Sequence, residues 1–203
     1  MFARYTRARV EIETERLLLR PPQQRDFEDW AKLRRESRAF LTPWEPSWSR
    51  DHLGPRAFRN RVAWSDRVIR QGEGLPLFLV ERLSGQIVGG ITLSNVRRQP
   101  AQAATLGYWV GERFARQGLM SEALAAVREH AFAAMDLSRL EAACLPENAA
   151  SRRLLERCQF KYEGVAQAYL QINGRWRNHV LYAALRADRR GRVEDGEGWP
   201  AGR

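Results

Sequence analysis

Gly107-Tyr-Trp-Val-Gly-Glu-Arg-Phe-Ala-Arg-Gln-Gly-Leu-Met-Ser-Glu-Ala-Leu124 is the stretch that decides the fold. Together with Ala104-Thr-Leu106 before it, its opening reads as a strand that ends near Gly111. A loop carrying Arg113, Arg116, Gln117 and Gly118 follows, and a helix opens at Leu119-Met120-Ser121. Leu124, Val127, Ala131 and Met135 then recur at helical spacing and predict a stripe facing the core. A helix N-terminus leaves backbone N–H groups without intrahelical partners and carries a partial positive charge. Gly118 allows an anion to approach that backbone, and the nearby arginines add charge, so the arrangement suits a diphosphate. A single glycine between strand and helix is equally an ordinary connecting turn, and the rest of the chain has to decide.

Upstream, Glu11 to Arg20 reads as a strand closed by Pro21-Pro22. A helix from about Asp26 follows, with Phe27, Trp30, Ala31 and Leu33 at helical spacing, and Pro43-Trp44-Glu45-Pro46 breaks it. A second helix runs from about Pro55 to Gln71. Strands at 75–83 and 86–95 flank Ser84-Gly85. Downstream come a short strand at 139–145, a helix entered through Pro146-Glu147-Asn148 and ending near Cys158, and strands at 160–172 and 175–185 around Asn173-Gly174. Asn-Gly between alternating apolar runs is the strongest short hairpin signal. The order predicts a mixed α/β fold, with a central sheet of about six to seven strands flanked by about four helices. One domain is expected over residues 1–186, with a disordered polar tail over 187–203.

The chain has 203 residues, with hydrophobic residues at 44% and charged ones at 29%. A domain of this size buries roughly 70% of its unfolded surface and needs no disulfide or metal staple. Cys144 and Cys158 sit in apolar stretches, and His52, His130 and His179 are scattered. No metal site is expected, and a reducing compartment, the cytoplasm, is. Met1 to Glu15 is polar and charged and does not read as a leader, and no apolar run approaches a membrane span. Net charge is +10, and all basic residues but Lys32 and Lys161 are arginine. Such a surface attracts polyanions, ribosomal RNA among them, and any anionic ligand; a genome rich in arginine codons gives the same ratio. No sequence-specific nucleic-acid contact is expected.

The decisive stretch resembles motif A of the GNAT superfamily of N-acetyltransferases, Gln/Arg-x-x-Gly-x-Gly/Ala. Gly118 takes the central glycine, while Ala115 and Met120 depart from the flanking positions. A second match, Asn148-Ala-Ala-Ser-Arg-Arg-Leu-Leu-Glu-Arg-Cys-Gln-Phe160, is similar to the family's motif B, Asn-x-x-Ala/Ser…Gly-Phe, with Gln159 in place of the glycine. Arg16-Leu-Leu-Leu-Arg-Pro-Pro22, Leu41-Thr-Pro-Trp-Glu-Pro46 and Tyr169-Leu-Gln-Ile-Asn-Gly-Arg-Trp-Arg-Asn-His-Val180 resemble the Rim-type ribosomal protein N-acetyltransferases, with the nearest likeness to those acting on an N-terminal alanine. The resemblance covers about residues 10 to 185.

This resemblance implies acetyl-CoA as co-substrate and direct transfer to a protein N-terminal amine in a ternary complex, so that neither cysteine need be a nucleophile. It assigns the diphosphate to the backbone from Gly118 through Leu119, Met120 and Ser121, with Arg113, Arg116 and Gln117 beside it. Backbone N–H groups near Trp109 and Val110 would polarise the thioester carbonyl, on a strand that family members splay with a bulge. Asn148 would cap its helix and contact the coenzyme. Family members often carry a tyrosine seven positions after that asparagine as general acid; here Leu155 stands there, and Ser151 is the substitute. Ser151 also reads as an ordinary first-turn serine. Glu45 is the candidate base acting through water, or else the partner of an arginine. Trp44 and Tyr169 are candidate substrate-binding residues, and Trp44 and Trp48 divide between core and groove wall. The expected partners are acetyl-CoA and a protein N-terminus, on a ribosomal protein or the ribosome, with the enzyme a monomer or homodimer. Two other readings stand: an acetyltransferase of a small amine or of protein lysines, and a non-catalytic acyl-CoA-binding or RNA-associated module.

Overall fold

The computed structural model describes residues 10–186; the tail expected at 187–203 lies outside the described residues. The strands are β1 (Ile12–Glu13), β2 (Leu17–Arg20), β3 (Leu75–Glu81), β4 (Ile87–Arg97), β5 (Ala103–Val110), β6 (Arg139–Cys144), β7 (Lys161–Ile172) and β8 (Arg175–Leu185). The helices are α1 (Phe27–Glu36), α2 (Arg38–Leu41), α3 (Pro55–Gln71), α4 (Leu119–Ala133) and α5 (Ala149–Arg157). One sheet of eight strands runs β1-β2-β3-β4-β5-β6-β8-β7. The β5–β6 pair is parallel, and its crossover is α4; the other neighbours are antiparallel.

The sheet is one strand larger than the expected six to seven, because the first strand is interrupted at Thr14. The Thr14 hydroxyl accepts from the Leu17 N–H at 3.0 Å and donates to Glu122 at 2.5 Å, folding the chain into a turn. The fifth helix is the four-residue α2, split from α1 at Ser37. Elsewhere local chemistry fixes the boundaries as expected. Pro55 opens α3, and Gly72, at φ 69, closes it with its N–H on the Val68 and Ile69 carbonyls. Asn173 and Gly174 take φ 46 and 76, the left-handed pair a tight hairpin turn requires.

Alternation along the central strands feeds two cores. Leu75, Leu77 and Leu79 of β3 join the core under α4 and α5, while Phe78 and Val80 join the one under α1 and α3. Each fully buried side chain of this kind contributes about 1.5–3 kcal/mol. Arg20 and Asp26, both buried, form a doubly hydrogen-bonded pair at 2.7 Å that ties the end of β2 to the start of α1. Among the described residues, no helix is long and apolar enough to cross a membrane.

Candidate active site

The site lies where β5 parts from β6. β5 stays in register with β4 as far as Val110 opposite Gly89, and β6 with β8 as far as Cys144 opposite Val180. The two strands pair with each other only from Ala103–Arg139 to Leu106–Ala142. Beyond Leu106 the sheet therefore opens like a V along residues 107–110. Backbone groups that have left a ladder need other hydrogen-bond partners, and an extended chain carrying amides fits such a part-exposed opening. The expected bulge in β5 is not what makes it: the β4–β5 register is continuous over 105–110 and shifts only at Ser94–Arg97. Gly111 serves packing instead, since a Cβ there would stand 2.4 Å from Leu33 Cδ1 of α1.

β5 presents different chemistry on its two faces. Tyr108 and Val110 pack toward α4 and α5, and Trp109 toward α1 and α3. On the first face, the Tyr108 hydroxyl is 2.7 Å from Ser151 Oγ. Ser151 sits in the first turn of α5, where its N–H donates to Asn148 Oδ1 at 3.0 Å, so Asn148 caps the helix as expected. Burial pushes the Tyr108 phenol well above its usual range, the bond to Ser151 opposing only in part. Cys144, at the end of β6, is also raised by burial, with the Ser151 hydroxyl pulling the other way. Leu155 is fully buried in the core.

On the opposite face, Arg34 of α1 lies between two indoles, 4.4 Å from the Trp48 ring and 4.7 Å from the Trp109 ring. Its guanidinium donates to both Glu45 oxygens at 2.8 and 2.6 Å, and Trp48 Nε1 donates to Glu45 at 2.8 Å. Gly90, opposite Trp109 on β4, leaves room for the indole; a Cβ there would meet Trp109 Nε1 at 2.6 Å. The loop holding Glu45 reaches the far hairpin, where the Asn173 N–H donates to the Glu45 carbonyl at 3.2 Å. Trp48 is half-buried and stacked on His52 at 4.9 Å, whereas Trp44 is exposed. Tyr169 is exposed, edge-on to His179 at 5.7 Å, in the register break of β7.

The third part is the N-terminus of α4. Gly118 stands there at φ 79, and no side chain caps the helix. Leu119 and Met120 are buried in the core, while the Ser121 carbonyl accepts from Cys158 Sγ at 3.7 Å. An uncapped helix of 15 residues entered through a left-handed glycine fits a diphosphate. Arg16 braces it: Nη1 donates to the Gln117 carbonyl at 2.9 Å and Nε to Glu122 at 2.7 Å, with Nη2 3.4 Å from where a Gly118 Cβ would be. Glu122 is driven up by burial, but the Thr14 hydroxyl and both Arg16 donors outweigh this and hold it below its usual range. Arg113 turns to Gln86 and Glu36 and covers the Phe114 ring. Gln117 donates to the Arg113 carbonyl, and Arg116 is exposed at φ 63.

The model of the acetyltransferase (GNAT) domain matches residues 16–161. The chain belongs to the GNAT acetyltransferase family. The [ribosomal protein uS5]-alanine N-acetyltransferase of Escherichia coli is 35% identical over 180 residues, covering 89% of this chain and 93% of that enzyme. The ribosomal-protein-S5-alanine acetyltransferase of Vibrio fischeri superposes with a TM-score of 0.82 at 28% identity, covering 88% and 98% of the two chains. Mycobacterium smegmatis RimJ, solved in complex with CoA-disulfide, gives a TM-score of 0.82 at 31% identity, with 87% of each chain covered.

In this GNAT chain the fold brings Ser151, Asn148, Trp109 and Val110 to one opening, with the Gly118 turn at the head of the crossover helix. Sequence reasoning missed Tyr108, Arg34 and Arg16. Tyr108 adjoins Trp109 on a strand, so period-two alternation put it on the other face. Arg34 follows Trp30 by one helical turn and so shares its inward side, an unusual place for an arginine.

Proposed function

We propose that this enzyme transfers the acetyl group of acetyl-CoA to the N-terminal α-amine of a protein, a ribosomal protein with a small first residue, in the cytoplasm. The observation that carries the reading is the divergence of β5 from β6, with a hydroxyl pair on one face and an indole-lined loop on the other. The identity to the Escherichia coli uS5-alanine enzyme over nearly the whole chain supports the acceptor class. The acceptor enters between the loop at 44–48 and the hairpin of β7 and β8, past the exposed Trp44 and Tyr169.

Each residue then has a part. The backbone from Gly118 to Ser121 binds the diphosphate, with Arg113, Arg116 and Gln117 bordering it. Backbone N–H groups on the β6 side of β5, that of Val110 first, polarise the carbonyl, the Trp109 N–H beside it facing β4. An α-amine has a pKa of about 8, so part of it is already neutral near pH 7–8 and a weak base suffices. Glu45 takes the amine's proton through a water. Ser151 Oγ–H protonates the departing thiolate, and Asn148 fixes its helix turn. The bidentate bond from Arg34 favours a second role for Glu45, that of holding the acceptor loop closed. The basic surface tolerates a site near ribosomal RNA without reading bases.

The test is a panel of short peptides with free or blocked N-termini, assayed beside aminoglycosides and free lysine. A free N-terminus should be preferred. Turnover confined to a small amine would sink the acceptor assignment, and coenzyme binding with no transfer to any amine would leave only a binding module.

A further inference from the structure

We infer that Tyr108 is a positioning residue for the leaving-group step: its phenolic O–H donates to Ser151 Oγ and turns the serine proton toward the opening between β5 and β6. This rests on the reading of Ser151 as the acid that meets the thiolate. A serine hydroxyl is a free rotor and both donates and accepts. In a first helical turn it ordinarily satisfies local backbone groups. Here the Asn148 side chain already accepts the Ser151 N–H, and the hydroxyl is 2.7 Å from a phenol on a different element.

Tyr108 belongs to the stretch of β5 that has left β6, while Ser151 lies just beyond the end of β6 on α5. Their hydrogen bond therefore spans the two sides of the opening. The phenol packs against the main core, and a phenolic O–H, with an ordinary pKa of about 10, is more acidic than an aliphatic hydroxyl, so Tyr108 is the stronger donor of the two. With Tyr108 donating, the serine's own proton is not taken up by the phenol, and the coenzyme sulfur competes for it only with the neighbouring Cys144 thiol, a weak acceptor. In the transfer the C–N bond forms and the C–S bond breaks. The sulfur takes the Ser151 proton, the Tyr108 O–H stabilises the oxygen left behind, and solvent water reprotonates it, while the proton lost by the amine passes to Glu45 and from there to solvent.

The experiment is a double-mutant cycle on the full chain with Tyr108→Phe, Ser151→Ala and the pair, reading kcat and acetyl-CoA affinity separately. One oriented hydrogen bond predicts a kcat about tenfold lower in Tyr108→Phe, with acetyl-CoA affinity unchanged. In the Ser151→Ala background the phenol has nothing to orient, so adding Tyr108→Phe should change kcat no further. Loss of coenzyme affinity matching the loss of rate, or additive losses in the pair, would assign Tyr108 to packing and overturn the inference. A slow Ser151→Ala beside a Tyr108→Phe of full kcat removes this inference alone. Full kcat in Ser151→Ala removes the reading beneath it.

Discussion

Arg34 and Glu45 meet through two hydrogen bonds of 2.8 and 2.6 Å, and the pair sits between the helix that covers β5 and the loop that faces the far hairpin. Only 6% of the Arg34 side chain and 21% of the Glu45 side chain are exposed. Stacking on Trp48 and Trp109 adds to the bond, so one arginine joins the acceptor loop to the strand that carries the proposed carbonyl-binding N–H groups.

Arg34→Met should therefore cost stability. Breaking a buried pair leaves an uncompensated charge at a cost of about 3–5 kcal/mol, and the partial exposure of Glu45 points to the lower end. Thermal denaturation measures it. The latch is shared by both residues, whereas proton acceptance belongs to Glu45. Arg34→Met should raise the peptide KM, and Glu45→Gln should do so and also lower kcat. Equal kcat in the two variants would leave Glu45 the latch alone.

Gly118→Val tests the diphosphate site. At φ 79 a β-branched residue is strained by about 1–3 kcal/mol, and its side chain would enter the approach to the α4 backbone. Acetyl-CoA affinity should fall, measured by isothermal titration, while the chain stays folded. Gly118→Asn, which tolerates the left-handed region better, should lose less. A folded valine variant with unchanged affinity would place the diphosphate elsewhere.

The parts of this site that were legible in the sequence are those set by local chemistry. The glycine before α4, the asparagine capping α5 and the Asn173-Gly174 turn each depend on a few neighbouring residues. The opening between β5 and β6 is different, because it depends on which strand each one follows, and those pairings join residues far apart in sequence. Gly111 is compatible by position with a bulged strand, yet its reason is Leu33, about eighty residues earlier. Both roles of Glu45 are legible in the sequence, but its partner Arg34 is not, because a helical arginine is ordinarily solvated.

Ser151→Ala removes the proposed acid and keeps the Asn148 cap, which uses the Ser151 backbone N–H. General acid catalysis contributes at least about 10²-fold, so kcat should fall by that order. Acetyl-CoA binding should stay close to wild type. Rapid-quench measurement of a single turnover would show whether the slowed step is the chemistry, as expected, or product release.

His52 gives the acceptor loop a dependence on pH. Burial first, and then Arg34 and Arg61, lower its pKa from 6.5 to about 4. Its ring stacks on Trp48, and its buried Nε2 has no hydrogen-bond partner in the structure. Between these two values the unfolded chain binds a proton that the folded chain refuses. Stability is therefore lost as pH falls from about 6.5 toward about 4, and the loss levels off once both states are protonated. His52→Phe keeps an aromatic ring against Trp48 and removes the titration. Its melting temperature should fall less than that of the wild type between about pH 7 and pH 4.5, the carboxylates contributing equally to both chains. Since His52 packs on the indole that bonds Glu45, the acid effect should reach the acceptor side first. Near pH 5 the wild-type peptide KM should rise more than the acetyl-CoA KM, and His52→Phe should narrow that gap. Parallel melting curves for the two chains across this range would show that His52 does not carry the effect.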